Sequence, residues 1–202
     1  MHWQRLDRDS SLQVIDSVKS AADMGLFNIG SSEVTRAFLP FYKDFFLFKV
    51  TNYASLPSFS FEYLGDGTFF HYMDGTAEPI HAANDKGKLD LTPENLIDYL
   101  VFYYAHVSEN DMDDITVIKD PHDMPLLDSL DPMAYASVMR NHKPAAILVN
   151  NDGGYAVETE IYTESQLLRA TIEVTKKGRV TMLDQKMIMN EMLDSGLPEA
   201  LV

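Results

Sequence analysis

Residues 155 to 184 read YAVETEIYTESQLLRATIEVTKKGRVTMLD. Apolar and polar residues alternate here in three successive runs, and a period of two places every second side chain on one face of a strand. The runs are separated at Thr163 to Gln166 and at 176–178, where Gly178 can adopt the positive φ that a tight turn needs. The pattern predicts a three-stranded antiparallel meander with one apolar face.

Pairing the strands across these turns gives a register that can be checked. It sets Ile161 against Leu168, Val157 against Ile172, Val174 against Val180, Ile172 against Met182 and, on the far face, Glu160 against Arg169. Apolar side chains meet apolar ones, and opposite charges meet. A slip of one residue would turn the apolar face to water, so the sequence specifies this register well.

A second group of strands is predicted near the N-terminus. Residues 42–52 and 58–63 are rich in aromatic and β-branched residues, and 58–63 meets 68–73 across Gly65-Asp66-Gly67. This hairpin pairs Leu64 with Phe69, Phe61 with Tyr72 and Glu62 with His71. The aromatic residues of this whole group of strands exceed what one face of a small sheet needs: Phe45, Phe46, Phe48, Phe59, Phe61, Phe69, Phe70 and Tyr72. Either both faces are covered, or one face forms a pocket or an interface, and we expect self-association through this sheet.

Helical spacing and capping signals predict the remaining elements. An amphipathic helix is expected at 10–24 with a cap at Ser10 or Ser11, and a short helix at 32–39 before Pro40. Thr92-Pro93-Glu94 opens a helix from Pro93 to about Val107 that is apolar nearly all round, and we expect it to be the central buried helix. Asp131-Pro132 opens another helix in the same way, and we expect it to end before Lys143-Pro144.

Other segments carry weaker signals. Residues 74–91 are expected to form a loop, 108–114 an acidic loop, 115–120 a short strand and 145–150 a buried strand. The tail after Asp184 is expected to hold one more turn of helix.

Helices and antiparallel strands without regular β-α-β alternation predict an α+β fold. We expect a twisted antiparallel sheet, built from the C-terminal meander and the N-terminal aromatic hairpin, to pack on the central helix. Such a sheet would resemble cystatin-like or NTF2-like cones in architecture only. One domain over residues 1–202 is the simpler interpretation, and division into 1–107 and 108–202 is the alternative.

Composition limits the class of partner. The chain has 202 residues, no cysteine, and 31 acidic against 16 basic residues, a formal net charge of -15. This charge repels phosphate backbones and anionic membranes, so we expect neither nucleic acid nor membrane as a partner, and it would suit a basic one. No apolar run is long enough to span a bilayer, and the first residues do not resemble a secretory signal. We expect cytoplasmic residence.

No catalytic, phosphate-binding or zinc motif is present, and the sequence predicts no cofactor or metal. Asp98 and His106 are the strongly polar residues of the aromatic helix, and they become candidate ligand-binding residues if their stripe faces a cavity rather than solvent. His71 and Glu62 are further candidates, although a surface pair across the hairpin explains them as well. The acidic and histidine residues 111–123 resemble a calcium loop at Asp111-Asp113-Asp114 but lack its glycine and its closing glutamate.

Two functions fit these observations. The first is a non-enzymatic protein that acts through association with another protein or as an accessory subunit. The alternative is a small-molecule-binding or hydrolase-like protein with a pocket between the sheet and the central helix.

Overall fold

The computed structural model describes residues 2–19, 26–108 and 114–190. Its internal contacts divide the chain into two compact units, Met1–Asn95 and Leu96–Val202. One domain over residues 1–202 and a division into 1–107 and 108–202 both stay predictions.

The N-terminal unit contains a five-stranded antiparallel sheet in the order β1-β2-β3-β4-β5. Its elements are β1 (Trp3–Arg5), α1 (Arg8–Val18), β2 (Ser32–Phe38), β3 (Phe46–Asn52), β4 (Phe59–Gly65), β5 (Phe70–Tyr72) and α2 (Glu78–Ala83), which a π-helical turn continues through Asn84–Lys88. Helix α1 is capped by Asp7, whose carboxylate accepts a hydrogen bond from Ser10 N. The cap therefore lies three residues before Ser10 and four before Ser11, the two predicted positions.

Both faces of this sheet are covered. Val14, Ile15 and Val18 of α1 pack with Tyr63 and its neighbours on one face. Leu64, which points the opposite way, is also buried, and α2 packs against β4 and β5. Most of the surplus aromatic side chains are thus buried or half-buried within the unit, while Phe69 and Tyr72 stay exposed. Self-association through this sheet stays a prediction, and intramolecular packing now accounts for most of the aromatic residues that motivated it.

Three predictions for this unit are wrong. The predicted helix 32–39 is instead strand β2, Ser32–Phe38, because SEVTRAF pairs along its whole length with β3. The predicted loop 74–91 contains α2, which starts with a proline in its first turn and buries Ile80. In the β4–β5 hairpin Leu64 faces His71 instead of Phe69, a shift of two residues that keeps every side chain on its predicted face.

The C-terminal unit holds a second antiparallel sheet in the order β10-β9-β8-β6, with β7 also paired to β8. Its elements are α3 (Leu96–His106), β6 (Thr116–Ile118), α4 (Pro132–Asn141), β7 (Ala146–Val149), β8 (Tyr155–Thr163), β9 (Gln166–Val174) and β10 (Val180–Asn190). Short 3-10 turns occupy Pro121–Asp123 and Leu127–Ser129. The α+β class with antiparallel sheets is confirmed, with two separate sheets. The cone-like likeness stays a prediction.

The predicted meander is confirmed with its register. All five pairs given above occur in β8, β9 and β10, and Gly178 has φ 72° at the second turn. The first turn uses Glu164 and Ser165, both with positive φ. Glu160 does face Arg169, but it is buried rather than on a solvated face.

Helix α3 is confirmed, although it begins at Leu96 rather than Pro93. Before it, Thr92 N donates to Asn95 Oδ1 in a turn. Five of its residues are buried, and Tyr99 donates its hydroxyl hydrogen to Gly178 O at 2.5 Å. The aromatic helix therefore packs against the β9–β10 turn.

Two predictions for this unit need correction. The first residues of the tail, up to Asn190, continue strand β10, since they pair with β9 around bulges at Leu183 and Ile188, and a helical turn after them stays a prediction. Strand β7 was predicted to be buried, yet Leu148 and Val149 are largely exposed, because β7 lies at an edge and pairs only with β8 among the described strands. Residues 191–202 lie outside the described residues.

Candidate functional site

The structure does not bring Asp98 and His106 together as an acid and a base. Asp98 Oδ1 accepts a hydrogen bond from Lys119 Nζ at 2.6 Å, and its side chain is 40% exposed. His106 Nδ1 lies 2.7 Å from Phe102 O, and its ring packs on that of Phe102. Each side chain thus has a local partner on or next to α3.

Glu62 and His71 do not form the predicted cross-strand pair. Glu62 instead forms an ion pair with Lys49 of β3, at 2.8 Å. His71 lies opposite Leu64, and its Nε2 atom is buried without a hydrogen bond to any described residue. Burial lowers the pKa of His71 below its ordinary value of 6.5, and the nearby Lys86 lowers it further. Ligand binding by these four candidates stays a prediction.

The acidic side chains after β6 accept hydrogen bonds from nearby backbone N–H groups. Asp123 Oδ2 accepts hydrogen bonds from Lys119 N and Asp120 N, and Asp120 pairs with His122 at 2.6 Å. Asp111 and Asp113 lie outside the described residues. Within the described residues no group of three or more histidine and acidic side chains is placed to hold a metal ion.

A cavity of the C-terminal unit lies beside α4. Its volume is about 340 Å³, and one wall is formed by α4, from its N-cap Asp131 to the residue after its end, His142. Ile188 and Met189 of β10 form the other wall, with Leu167 of β9 below them. A ten-residue helix is about 15 Å long, so the cavity is a groove along α4. We call it the α4–β10 groove.

A buried ionic cluster lies at one end of this groove. Glu160 of β8 is 2% exposed. Its Oε1 atom accepts hydrogen bonds from Arg169 at 2.5 Å and from Lys143 N at 3.1 Å, while its Oε2 atom lies 2.6 Å from His142 Nδ1. One carboxylate thus joins strand β9 to the end of α4. We call Glu160, Arg169 and His142 the Glu160 cluster.

The cluster orients the His142 ring. A neutral histidine that donates from Nδ1 to a carboxylate has its acceptor at Nε2, the arrangement found where a carboxylate positions a histidine base. His142 lines the groove, and its Nε2 atom makes no hydrogen bond to the described residues. The same geometry also describes a structural ion pair, because a buried carboxylate needs partners wherever it lies.

Sequence reasoning found the Glu160–Arg169 pair but missed the third member. The helix from Asp131-Pro132 was predicted to end before Lys143-Pro144, and His142 occupies that end. No local pattern connects this position with Glu160, which is 18 residues away in the chain. Only the packing of α4 on the sheet brings them together.

Strand β10 presents an exposed surface next to the groove. Residues 183–188 are all exposed although the strand is paired with β9, and Leu183, at a bulge, is 57% exposed. Met187 and Ile188 are also largely exposed, and Met133 across the groove is 84% exposed. The outer edge of β10 has no strand partner among the described residues.

The chain was compared with protein families, curated proteins and solved structures, and no family model, curated protein or solved structure matches it. In the described part of the chain no helix has the length and apolar character needed to cross a membrane.

Proposed function

We propose that the protein is a non-enzymatic accessory protein that binds a partner protein through the edge of β10 and the α4–β10 groove. The observation that carries this proposal is the run of six exposed residues, 183–188, in a paired strand whose outer edge is open. Edge strands expose backbone donors and acceptors that can pair with an extended segment of another chain.

Side chains next to this edge favour an apolar segment. Ile188 belongs both to the exposed strand and to the groove, and Met133 lies on the opposite wall. A segment added to β10 would therefore direct alternate side chains toward the groove. Exposed methionine and isoleucine provide an adaptable apolar surface for them.

Charge favours a basic segment. The chain carries a net charge of -15, and Asp131 lines one end of the groove. Lysine or arginine in the bound segment would gain from this field, which also accelerates encounter with a basic partner. The expected ligand is an extended segment that alternates apolar with basic or polar residues.

A peptide-display selection tests this proposal. The full-length chain is immobilised and exposed to random twelve-residue peptides, and the enriched peptides are expected to alternate apolar residues with lysine or arginine. Ile188→Lys should weaken their binding at least tenfold, because it places a like charge at the groove. Leu148→Lys is the matched control, since Leu148 is an exposed apolar residue on a different edge strand, β7.

Two results would count against a partner segment. Peptides that bind Ile188→Lys as tightly as the unchanged chain would exclude this surface. Light scattering that shows a dimer abolished by Ile188→Lys would mean that a second copy occupies the edge instead.

The Glu160 cluster favours a second candidate function, a small-molecule or hydrolase-like pocket. In that function His142 Nε2 would take a proton from a water molecule as the water attacks the carbonyl carbon of a bound ester, and it would return that proton to the alcohol oxygen as the ester C–O bond breaks. A panel of small esters would then be hydrolysed, and His142→Gln would abolish the activity. His122→Gln, which changes an exposed histidine paired with Asp120, should leave it intact. Equal rates for both variants and the unchanged chain would exclude this function.

A further inference from the structure

The N-terminal unit contains a second cavity, of about 350 Å³, between the start of α1 and the β4–β5 turn. Gln4, Arg36 and Phe48 lie side by side across its floor, because Gln4 pairs with Arg36 and Arg36 with Phe48 in the sheet register. Ser10 and Gln13 of α1 line one side, and Asp66, Gly67 and Thr68 line the other. A volume of this size lies at the lower end of the range for small-ligand pockets.

Arg36 differs from the other charged groups of this cavity. Arg5 pairs with Glu33 at 3.0 Å, and both carboxylate oxygens of Asp7 accept hydrogen bonds from Ser10. Asp66 Oδ1 accepts hydrogen bonds from Thr68 N and Phe69 N. Arg36 has no ion pair or hydrogen bond with any residue of the described ranges, and its guanidinium lies 4.9 Å from the centre of the Phe46 ring.

This lack of an anion is unusual for a half-buried arginine in so acidic a chain. Arg169, which is half-buried like Arg36, pairs with both Glu158 and Glu160. The chain has 15 more acidic than basic residues, yet none of the described acids pairs with Arg36. A partly buried charge is favourable only when it is paired or hydrogen-bonded. The planar guanidinium, held over Phe46, therefore offers an anion-binding fork on an aromatic floor.

We propose that this cavity binds a small organic monocarboxylate with a flat apolar body, its carboxylate on Arg36 and its body over Phe46 and Phe48. The donor geometry of arginine fits a carboxylate in a bidentate manner. A single negative charge suits the cavity better than the double charge of a phosphate, because Asp7 and Asp66 also line it. The amide and hydroxyl groups of Gln4, Gln13, Ser10 and Thr68 can bind further polar groups of the ligand.

Calorimetric titration of the full-length chain with benzoate tests the proposal. Benzamide, which has the same shape without the charge, and inorganic phosphate, which has the charge without the ring, serve as comparison ligands. Benzoate is expected to bind at least tenfold more tightly than either. Arg36→Gln should abolish benzoate binding, whereas Arg140→Gln, which changes an exposed arginine on α4, should leave it unchanged.

A second variant keeps Arg36 in place. Gln13→Trp, on the exposed side of α1, should fill the mouth of the cavity and weaken benzoate binding at least tenfold without removing the cation. Equal binding of benzoate and benzamide would overturn the proposal in favour of a purely apolar cavity. Tighter binding of phosphate would overturn it in favour of a phosphate site. Unchanged benzoate binding by both Arg36→Gln and Gln13→Trp would exclude this cavity altogether.

Discussion

The buried polar groups of the two units have different surroundings. In the C-terminal unit Glu160 has partners in Arg169, His142 and the backbone of Lys143, so its carboxylate is fully engaged. In the N-terminal unit the Tyr63 hydroxyl and His71 Nε2 are buried with no hydrogen bond to the described residues. A buried group without a partner loses its hydration and gains nothing in return. The two units should therefore respond in opposite directions when such groups are removed.

The largest effect is expected for Glu160→Gln. The substitution keeps the size of the side chain but leaves His142 without a carboxylate and Arg169 with only the exposed Glu158, at 3.8 Å. Removing one partner of a buried ion pair typically costs 3–5 kcal/mol, so we expect a loss of about 3 kcal/mol of unfolding free energy. Urea denaturation monitored by circular dichroism measures this loss of unfolding free energy.

Glu158→Gln is the matched control for this substitution. Glu158 lies two residues away on the same strand and contacts the same arginine, but at 3.8 Å and with its side chain 56% exposed. An exposed pair of this kind contributes little, so the control should change stability by about 0.5 kcal/mol or less. Similar losses of stability for Glu158→Gln and Glu160→Gln would show that the buried Glu160 carboxylate contributes no more than the exposed Glu158 carboxylate.

Opposite in sign is the effect expected for Tyr63→Phe. Tyr63 is fully buried among apolar residues of the sheet and α1, and burial raises its pKa to about 12. Deleting a hydroxyl that has no partner removes a desolvation cost and leaves the packing of the ring unchanged. We expect a gain of about 1 kcal/mol, measured by the same denaturation experiment. A loss of stability would show that the hydroxyl has a partner, such as bound water.

How far sequence predicts these surroundings depends on the range of the interactions. The meander is predictable because alternation, Gly178 and the Glu160–Arg169 pair all require one register. The β4–β5 hairpin is not, because a shift of two residues preserves its faces. Its register depends on Asp66, which accepts hydrogen bonds from two following N–H groups and so shapes a longer turn.

Features that depend on contacts between distant parts of the chain cannot be predicted from local sequence patterns. Strand β2 has the composition of either a short helix or a strand, and its pairing with β3 decides between them. The Glu160 cluster needs α4 to deliver His142 to the sheet, and the cavity around Arg36 needs α1 and the β4–β5 turn to meet. Residue types alone therefore predict candidates at Asp98, His106, Glu62 and His71, whereas the two cavities form only when distant elements pack together.

Thr159→Val tests whether the sign of the stability change depends on the unit in which a buried polar group lies or on whether that group has a hydrogen-bond partner. Thr159 lies one residue before Glu160, is fully buried, and has a hydroxyl without a hydrogen bond to the described residues. If the partner matters and the unit does not, this isosteric change should stabilise the C-terminal unit by about 0.5 kcal/mol, in the same direction as Tyr63→Phe. Thermal unfolding measures it, and a destabilisation would show that the threonine hydroxyl is engaged.

The smallest effect is expected from the titration of His71. Burial holds its pKa below 6.5 in the folded chain, while the unfolded chain keeps the ordinary value. As the pH falls below about 6.5, the unfolded state therefore binds the proton first, and folding stability declines until the folded-state pKa is passed. His71 is only partly buried, so solvent screening keeps this loss of stability small.

His71→Phe isolates this contribution from the titration of the acidic residues. The difference in unfolding free energy between the variant and the unchanged chain should be constant above pH 7 and should move in favour of the variant as the pH is lowered toward 5. His2→Phe serves as the control, because His2 is exposed. A difference for His71→Phe that does not vary with pH would mean that His71 takes up its proton equally well in the folded and unfolded chains. The buried Nε2 atom of His71 would then have a hydrogen-bond acceptor, as the Nδ1 atom of His142 has in the Glu160 carboxylate.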